Sequence, residues 1–150
     1  MIGKILVAVD GSENSDRGLD FALDLAEKFG SAVTVLNVSE QPAMGAVPME
    51  PTAVSSESMV VFDRDLRGLH EEILNKAVAQ AKTVKHNVAV LQVLREGDPA
   101  LEIVSMAKEE GFDLVVVGHK GAGRVKELFG LGGISEKVAH LAPCSVVIIR

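Results

Sequence analysis

The sequence predicts an α/β domain, a three-layer structure in which a five-stranded parallel sheet is covered by helices on both faces. Three observations lead there. Short runs rich in Val, Ile and Leu recur along the chain without the polar alternation of a sheet that keeps one face in water. Segments with apolar residues at three- and four-residue spacing alternate with those runs, as amphipathic helices require. Parallel neighbours need crossover connections, nearly always right-handed, and the alternation of strand and helix supplies them. At 150 residues and 47% hydrophobic content, the chain is expected to form a single domain over residues 1–150 with a sizeable core.

The first strand reads Ile5 to Val9, and the chain leaves it through Asp10 and Gly11. A helix follows with Ser12 as its N-cap, an apolar face of Leu19, Ala22, Leu25, Ala26 and Phe29, and Gly30 as its stop. Ala32 to Val38 is the second strand. Residues Ser39 to Asp65 then hold three of the five prolines and three of the five methionines, and are expected to form a long, mobile loop. Met44, Met49 and Met59 are expected to pack beneath it rather than line a pocket or partner surface. A second helix carries Leu66, Leu69, Ile73, Ala77 and Ala81 as its apolar stripe, with Glu71, Glu72, Lys76 and Gln80 off it. Asn87 to Leu94 is more mixed and reads as a strand near the sheet edge. A third helix opens with Asp98 as N-cap and Pro99 at its first position, continues through Leu101, Ile103, Val104 and Ala107, and stops at Gly111. Leu114 to Val117 is the fourth strand, Ser135 to Leu141 a short helix ending before Pro143, and Ser145 to Ile149 the fifth strand.

Composition removes several functions. Fifteen basic against 21 acidic residues give a net charge of −6, which repels polyanions and disfavours a nucleic-acid partner. Five Phe, with no Trp or Tyr, provide few stacking platforms. No apolar run approaches the length of a membrane span, and the start Met-Ile-Gly-Lys does not lead into a signal peptide. One cysteine, Cys144, rules out an internal disulfide and is expected to act as a small buried hydrophobe; together these features place the chain in the cytoplasm. The four histidines are scattered, so no structural metal site is expected, and His119 and His140 read as surface or packing residues.

Open α/β sheets bind ligands beyond the carboxyl ends of their strands, where strand order reverses. With strands ordered 3-2-1-4-5, the first and fourth flank that reversal, so Asp10-Gly11-Ser12 and Gly118-His119-Lys120-Gly121 would face one crevice. Six of the 14 glycines (118, 121, 123, 130, 132 and 133) fall within sixteen residues starting there. Between residues 118 and 127, Lys120, Arg124 and Lys126 stand against Glu127, a local +2 in an acidic chain. Glycines let backbone amides approach an anion, and a helix N-terminus adds a favourable dipole. Standard motifs do not account for the window: there is no Walker sequence, Lys126 occupies the place of the third glycine of a dinucleotide fingerprint, and no nucleophile elbow is formed around Ser12. The plainer alternatives are a turn and helix cap at Asp10-Gly11-Ser12, and a glycine loop without a ligand.

The opening Ile5-Leu-Val-Ala-Val-Asp10-Gly-Ser12, the turn from Val117 to Gly121 and the closing Pro143-Cys-Ser-Val-Val-Ile-Ile-Arg150 resemble the universal stress protein family along essentially the whole chain. The resemblance implies a flavodoxin-like fold and points to the family's ATP-binding branch, marked by Gly-x2-Gly-x9-Gly-Ser/Thr. Gly118 and Gly121 fit that pattern; Gly132 arrives after ten intervening residues, and Gly133 stands where Ser or Thr is expected. By this resemblance Ala8 and Asp10 line the adenine and ribose side, Val38 offers backbone groups to adenine, and Lys120 approaches a phosphate. Amides of Gly132, Gly133 and Ile134 hold the phosphate chain, with Ser135 as the remaining hydroxyl; Val9, Val117, Gly118 and Gly121 complete the site. The expected cofactor is ATP, with or without Mg2+. No clear general base and no acidic pair for magnesium is evident, so the nucleotide is expected to act as a state signal with at most slow hydrolysis. The rival reading is an interaction module of the same family that has lost nucleotide binding, as Gly133 suggests; an enzyme acting on another phosphorylated ligand is a weaker third. An apolar last strand at a sheet edge predicts a symmetric homodimer, which the resemblance also implies.

Overall fold

The computed structural model describes residues 1–40, 56–119 and 133–150. It contains β1 (Lys4–Ala8), α1 (Glu13–Phe29), β2 (Ala32–Ser39), α2 (Ser56–Val84), β3 (Val90–Glu96), α3 (Pro99–Glu110), β4 (Leu114–Gly118), α4 (Ile134–Leu141) and β5 (Ser145–Ile149). The strands form one sheet in the order β3-β2-β1-β4-β5, and every neighbouring pair is parallel. The predicted class and order are therefore those found.

Burial on both faces explains the unbroken apolar runs. Ile5, Leu6 and Val7 in the central strand are all 0% exposed. Ile5 and Val7, with Val33, Val35, Leu114 and Val116, face α1 and α2 through Leu19, Leu23, Leu74 and Ala81. Leu6, Leu36, Val115 and Val117 face α3 and α4 through Ile103, Met106 and Val138. Each such side chain contributes roughly 1.5–3 kcal/mol by leaving water. β3 lies at the edge, as its mixed composition predicts, and only partly buries its apolar residues.

The helix ends follow the sequence signals. The Ser12 and Asp98 side chains accept amide hydrogen bonds in the first turns of α1 and α3. Gly30 ends α1 with φ of 69°, a left-handed conformation that favours glycine.

Several expectations change. Residues 56–65 are helical, so α2 begins well before Asp65, inside the expected loop. No Gly or Pro interrupts that stretch, but Met59, Val60, Val61 and Phe62 are consecutive, which hides helical periodicity; all four are exposed. Met59 thus lies on an exposed helix rather than beneath a loop, while Met44 and Met49 are outside the described residues. Leu69 is 57% exposed, because the buried face of α2 is set by Leu74, Ala77, Val78 and Ala81 and turns Leu69 outward. Phe29 and Leu101 also point to solvent, at a helix end and beside a face defined by Ala100, Ile103 and Met106. Cys144 is only half-buried; burial first, and then the charge of Asp113, pushes its thiol above the ordinary range. Among the described residues, no helix is long and apolar enough to cross a membrane.

Candidate functional site at the carboxyl ends of the central strands

The strand order reverses at β1, which pairs with β2 on one side and β4 on the other. The register sets Ala8 against Leu36 and Val7 against Val116, so β1 and β4 end together. Ala8, Val38 and Val117 pack on the face shared with α3 and α4, where they offer aliphatic walls. Val9, 3% exposed, packs on the opposite face toward α1 and α2.

Asp10 begins a tightly bonded turn. The Ser12 N–H donates to Asp10 Oδ1 at 2.9 Å, and the Ser15 N–H donates to Ser12 Oγ at 3.2 Å. Ser15 returns its hydroxyl hydrogen to the Ser12 carbonyl at 2.9 Å and accepts from the Asp10 N–H at 3.3 Å. The turn-and-cap reading of Asp10-Gly11-Ser12 is therefore realised. These bonds also fix a half-buried acidic side chain where the strand order reverses. An acidic group at a strand end is the usual acceptor for ribose hydroxyls in doubly wound sheets.

Opposite Asp10, β4 ends against the first turn of α1. A Cβ on Gly118 would stand 3.0 Å from Asn14 Cβ and 3.2 Å from both the Asn14 carbonyl carbon and the Ser15 nitrogen, so a side chain there would have to push α1 back by a few tenths of an ångström. The next amide, of His119, donates to the Ile149 carbonyl at 2.6 Å, while the His119 carbonyl accepts from Ser135 Oγ at 3.3 Å. Ser135 is 3% exposed. Its hydroxyl ties α4 to the end of β4, a structural bond where a phosphate contact was expected. α4 begins at Ile134, with Gly133 as an N-cap that carries no side chain to bond its first-turn amides. The corresponding amides of α1 and α3 are covered by Ser12 and Asp98. Lys120, Gly121 and Gly132 lie outside the described residues.

Three further residues shape this end of the sheet. Ser15 is buried. Asn37, 1% exposed in β2, donates through Nδ2 to the Val9 carbonyl at 2.7 Å, and its Oδ1 lies 2.7 Å from Nδ1 of His70 in α2. The signal for Asn37 was visible: one amide side chain inside an apolar strand must find partners. Nothing in the sequence pairs it with His70.

A five-stranded parallel sheet in the order 3-2-1-4-5, with helices on both faces, is an α/β domain of the flavodoxin-like class. The chain belongs to the universal stress protein family, whose model matches residues 1–150. It is 31% identical over 157 residues to the universal stress protein YxiE of Bacillus subtilis, covering 100% of both chains. It is 36% identical over 151 residues to a universal stress protein of Methanothermobacter thermautotrophicus, covering 100% of this chain and 97% of the other. Among solved structures, the fold is shared with the universal stress protein UspA of Lactobacillus plantarum (TM-score 0.78, 22% identity, 99% and 98% of the two chains). It is shared too with a universal stress protein in complex with cAMP (0.71, 23%, 99% and 97%). The universal stress protein of Archaeoglobus fulgidus in complex with dAMP is a further neighbour (0.62, 22%, 100% and 98%).

Proposed function

We propose that this protein binds an adenine nucleotide in the crevice beyond β1 and β4, with ATP as the ligand that reports the energy state of the cell. The observation that carries the reading is the placement of Asp10 at the strand-order reversal, beside the end of β4. It gains weight from relatives of the same fold that are complexed with cAMP and dAMP. In this reading Asp10 accepts the ribose hydroxyls, and the base rests on the aliphatic walls of Ala8, Val38 and Val117. The amides of Gly133 and Ile134 face the phosphates, together with Lys120, Gly121 and Gly132. Ser135 acts by holding α4 in place. Among the described residues, no group of three or more His, Cys, Asp or Glu is placed to hold a metal ion. Magnesium, bound with the triphosphate, would supply charge neutralisation there.

Denaturing the purified protein and identifying the released small molecules tests the reading directly. Release of ATP, ADP or AMP, or a rise in melting temperature with Mg-ATP, AMP or cAMP, is expected; neither occurring overturns it.

A second reading, an interaction module without a nucleotide, draws on the exposed Met59, Val60, Val61 and Phe62 of α2. Substituting Gly121 or Gly132 by Val separates the two, since only a nucleotide binder has ligand-induced stabilisation to lose. Under either reading we place a symmetric homodimer at β5, which among the described residues is an edge strand paired with β4 alone and exposes Ile148. Light scattering at micromolar concentration should give twice the chain mass, and a monomeric mass overturns it.

A further inference from the structure

The peptide unit joining Val9 to Asp10 is held from both sides. Its carbonyl accepts from Asn37 Nδ2, and its N–H donates to Ser15 Oγ. With Nδ2 engaged, Asn37 turns Oδ1 toward His70 Nδ1, 2.7 Å away. An amide oxygen only accepts, so Nδ1 of His70 carries the hydrogen of this bond. Flipping the amide would set its oxygen against the Val9 carbonyl oxygen, two acceptors facing each other. The bonds therefore run in one direction, from His70 on α2, through Asn37 on β2, to the backbone that launches Asp10.

We propose that His70 is a positioning residue for the nucleotide site: through Asn37 it fixes the peptide that aims Asp10, so that nucleotide affinity depends on how α2 is seated. The inference rests on the reading that the crevice takes an adenine nucleotide. Its physical basis is the burial of Asn37, 1% exposed. A buried amide oxygen deprived of its donor recovers a partner by turning, and turning withdraws the Nδ2 hydrogen from Val9. The Val9–Asp10 peptide then loses its anchor to β2, and the aim of Asp10 shifts about the bonds that Ser12 and Ser15 still supply.

Three substitutions test this, read by AMP titration and by the amide resonance of Asp10 in the ligand-free protein. His70→Asn keeps an N–H donor near the place of Nδ1, His70→Gln moves it toward the place of Nε2, and His70→Ala removes it. The Ala and Gln variants should bind AMP about tenfold more weakly and shift the Asp10 resonance, while Asn restores both to within about threefold of wild type. Wild-type AMP binding that the Ala variant matches to within about twofold, with the Asp10 resonance unmoved, overturns the proposal. So does an equal loss in all three variants that follows their melting temperatures, because a purely structural histidine behaves that way. If the wild-type protein takes no adenine nucleotide, the functional reading falls and this role with it. The Asp10 resonance, recorded without ligand, then tells that failure apart from a failure of the hydrogen-bonded relay.

Discussion

The two ends of the sheet are built in different ways. At the amino end, bonds join the start of one strand to the connection leading into the next. Asp113, just before β4, accepts the amides of Gly3 at 2.8 Å and Lys4 at 2.9 Å. Lys4 Nζ donates to the Glu110 carbonyl at 2.6 Å and lies 4.9 Å from the centre of the Phe112 ring. Ser31 donates its hydroxyl to the Ile2 carbonyl at 2.5 Å. At the carboxyl end, bonds that fasten β4 to β5 and α4 are joined by a pair that meets on one peptide, that of Val9 and Asp10, from β2 and α1 together. The first arrangement spreads its load over several surface contacts and fastens elements. The second orients a single side chain. Substitutions at the amino end should therefore alter stability alone, and those at the carboxyl end should alter what the protein can hold.

The largest effect is expected where the carboxyl end is packed most closely. Gly118→Val places a Cβ and two methyls against the backbone of Asn14 and Ser15. Overpacking of this kind costs roughly 1–3 kcal/mol, which a urea denaturation curve measures; an unchanged midpoint would contradict the close approach of β4 to α1. Asp10→Ala comes next. On the proposed reading it removes the acceptor of the ribose hydroxyls and should weaken AMP binding about thirtyfold, equivalent to about 2 kcal/mol, in calorimetric titration. Asp113→Ala serves as its counterpart, destabilising the fold while leaving AMP affinity where it was; equal losses of affinity in both would erase the distinction between the ends.

Ser12→Ala should cost about 1 kcal/mol, the usual worth of an N-cap, because it removes the acceptor of the Ser15 amide. Denaturation in urea checks it. The smallest effect depends on pH. The amides of Lys4 and then Gly3 hold the Asp113 carboxyl below its ordinary range. A carboxyl group lowered by folding stabilises above its unfolded value, about 3.9, and that contribution disappears as the pH falls through the lower folded value. Asp113→Asn should therefore melt below wild type at neutral pH, and the two melting curves should converge in acid. A constant gap from pH 7 to pH 3 would show that the charge of Asp113 is not what fastens β1.

How much of this was legible depends on whether the signal was local. Ser12, Gly30, Asp98 and Gly111 announced helix ends correctly because a cap is decided within a few residues. The parallel sheet followed from strands apolar on both faces and from the alternation itself, while its order matched the one that the family resemblance implies. Asp10 stood out because an acidic residue ends an apolar strand. What stayed hidden was set across the fold. His70 meets Asn37 over a separation of 33 residues. Ser135 reads as a ligand hydroxyl in sequence, yet it bonds the backbone of His119. Gly118 looks like a phosphate glycine, but the approach of α1 already accounts for it. The early start of α2 was concealed for a different reason: four consecutive apolar residues, all exposed, do not repeat at the helical period.

The position of β1 in the middle of the sheet also sets a timetable for synthesis. β2 and β3 leave the ribosome soon after β1 and can line up along one of its sides, but its other side has no neighbour until Leu114–Gly118 has been made. The wall of the crevice opposite Asp10 comes from that late segment. A nascent chain can thus gather its first three strands early, yet the strand-order reversal beside Asp10 is complete only once β4 has been made. Pairing of the first three strands and completion of the reversal point are events separated in time by the order of the strands.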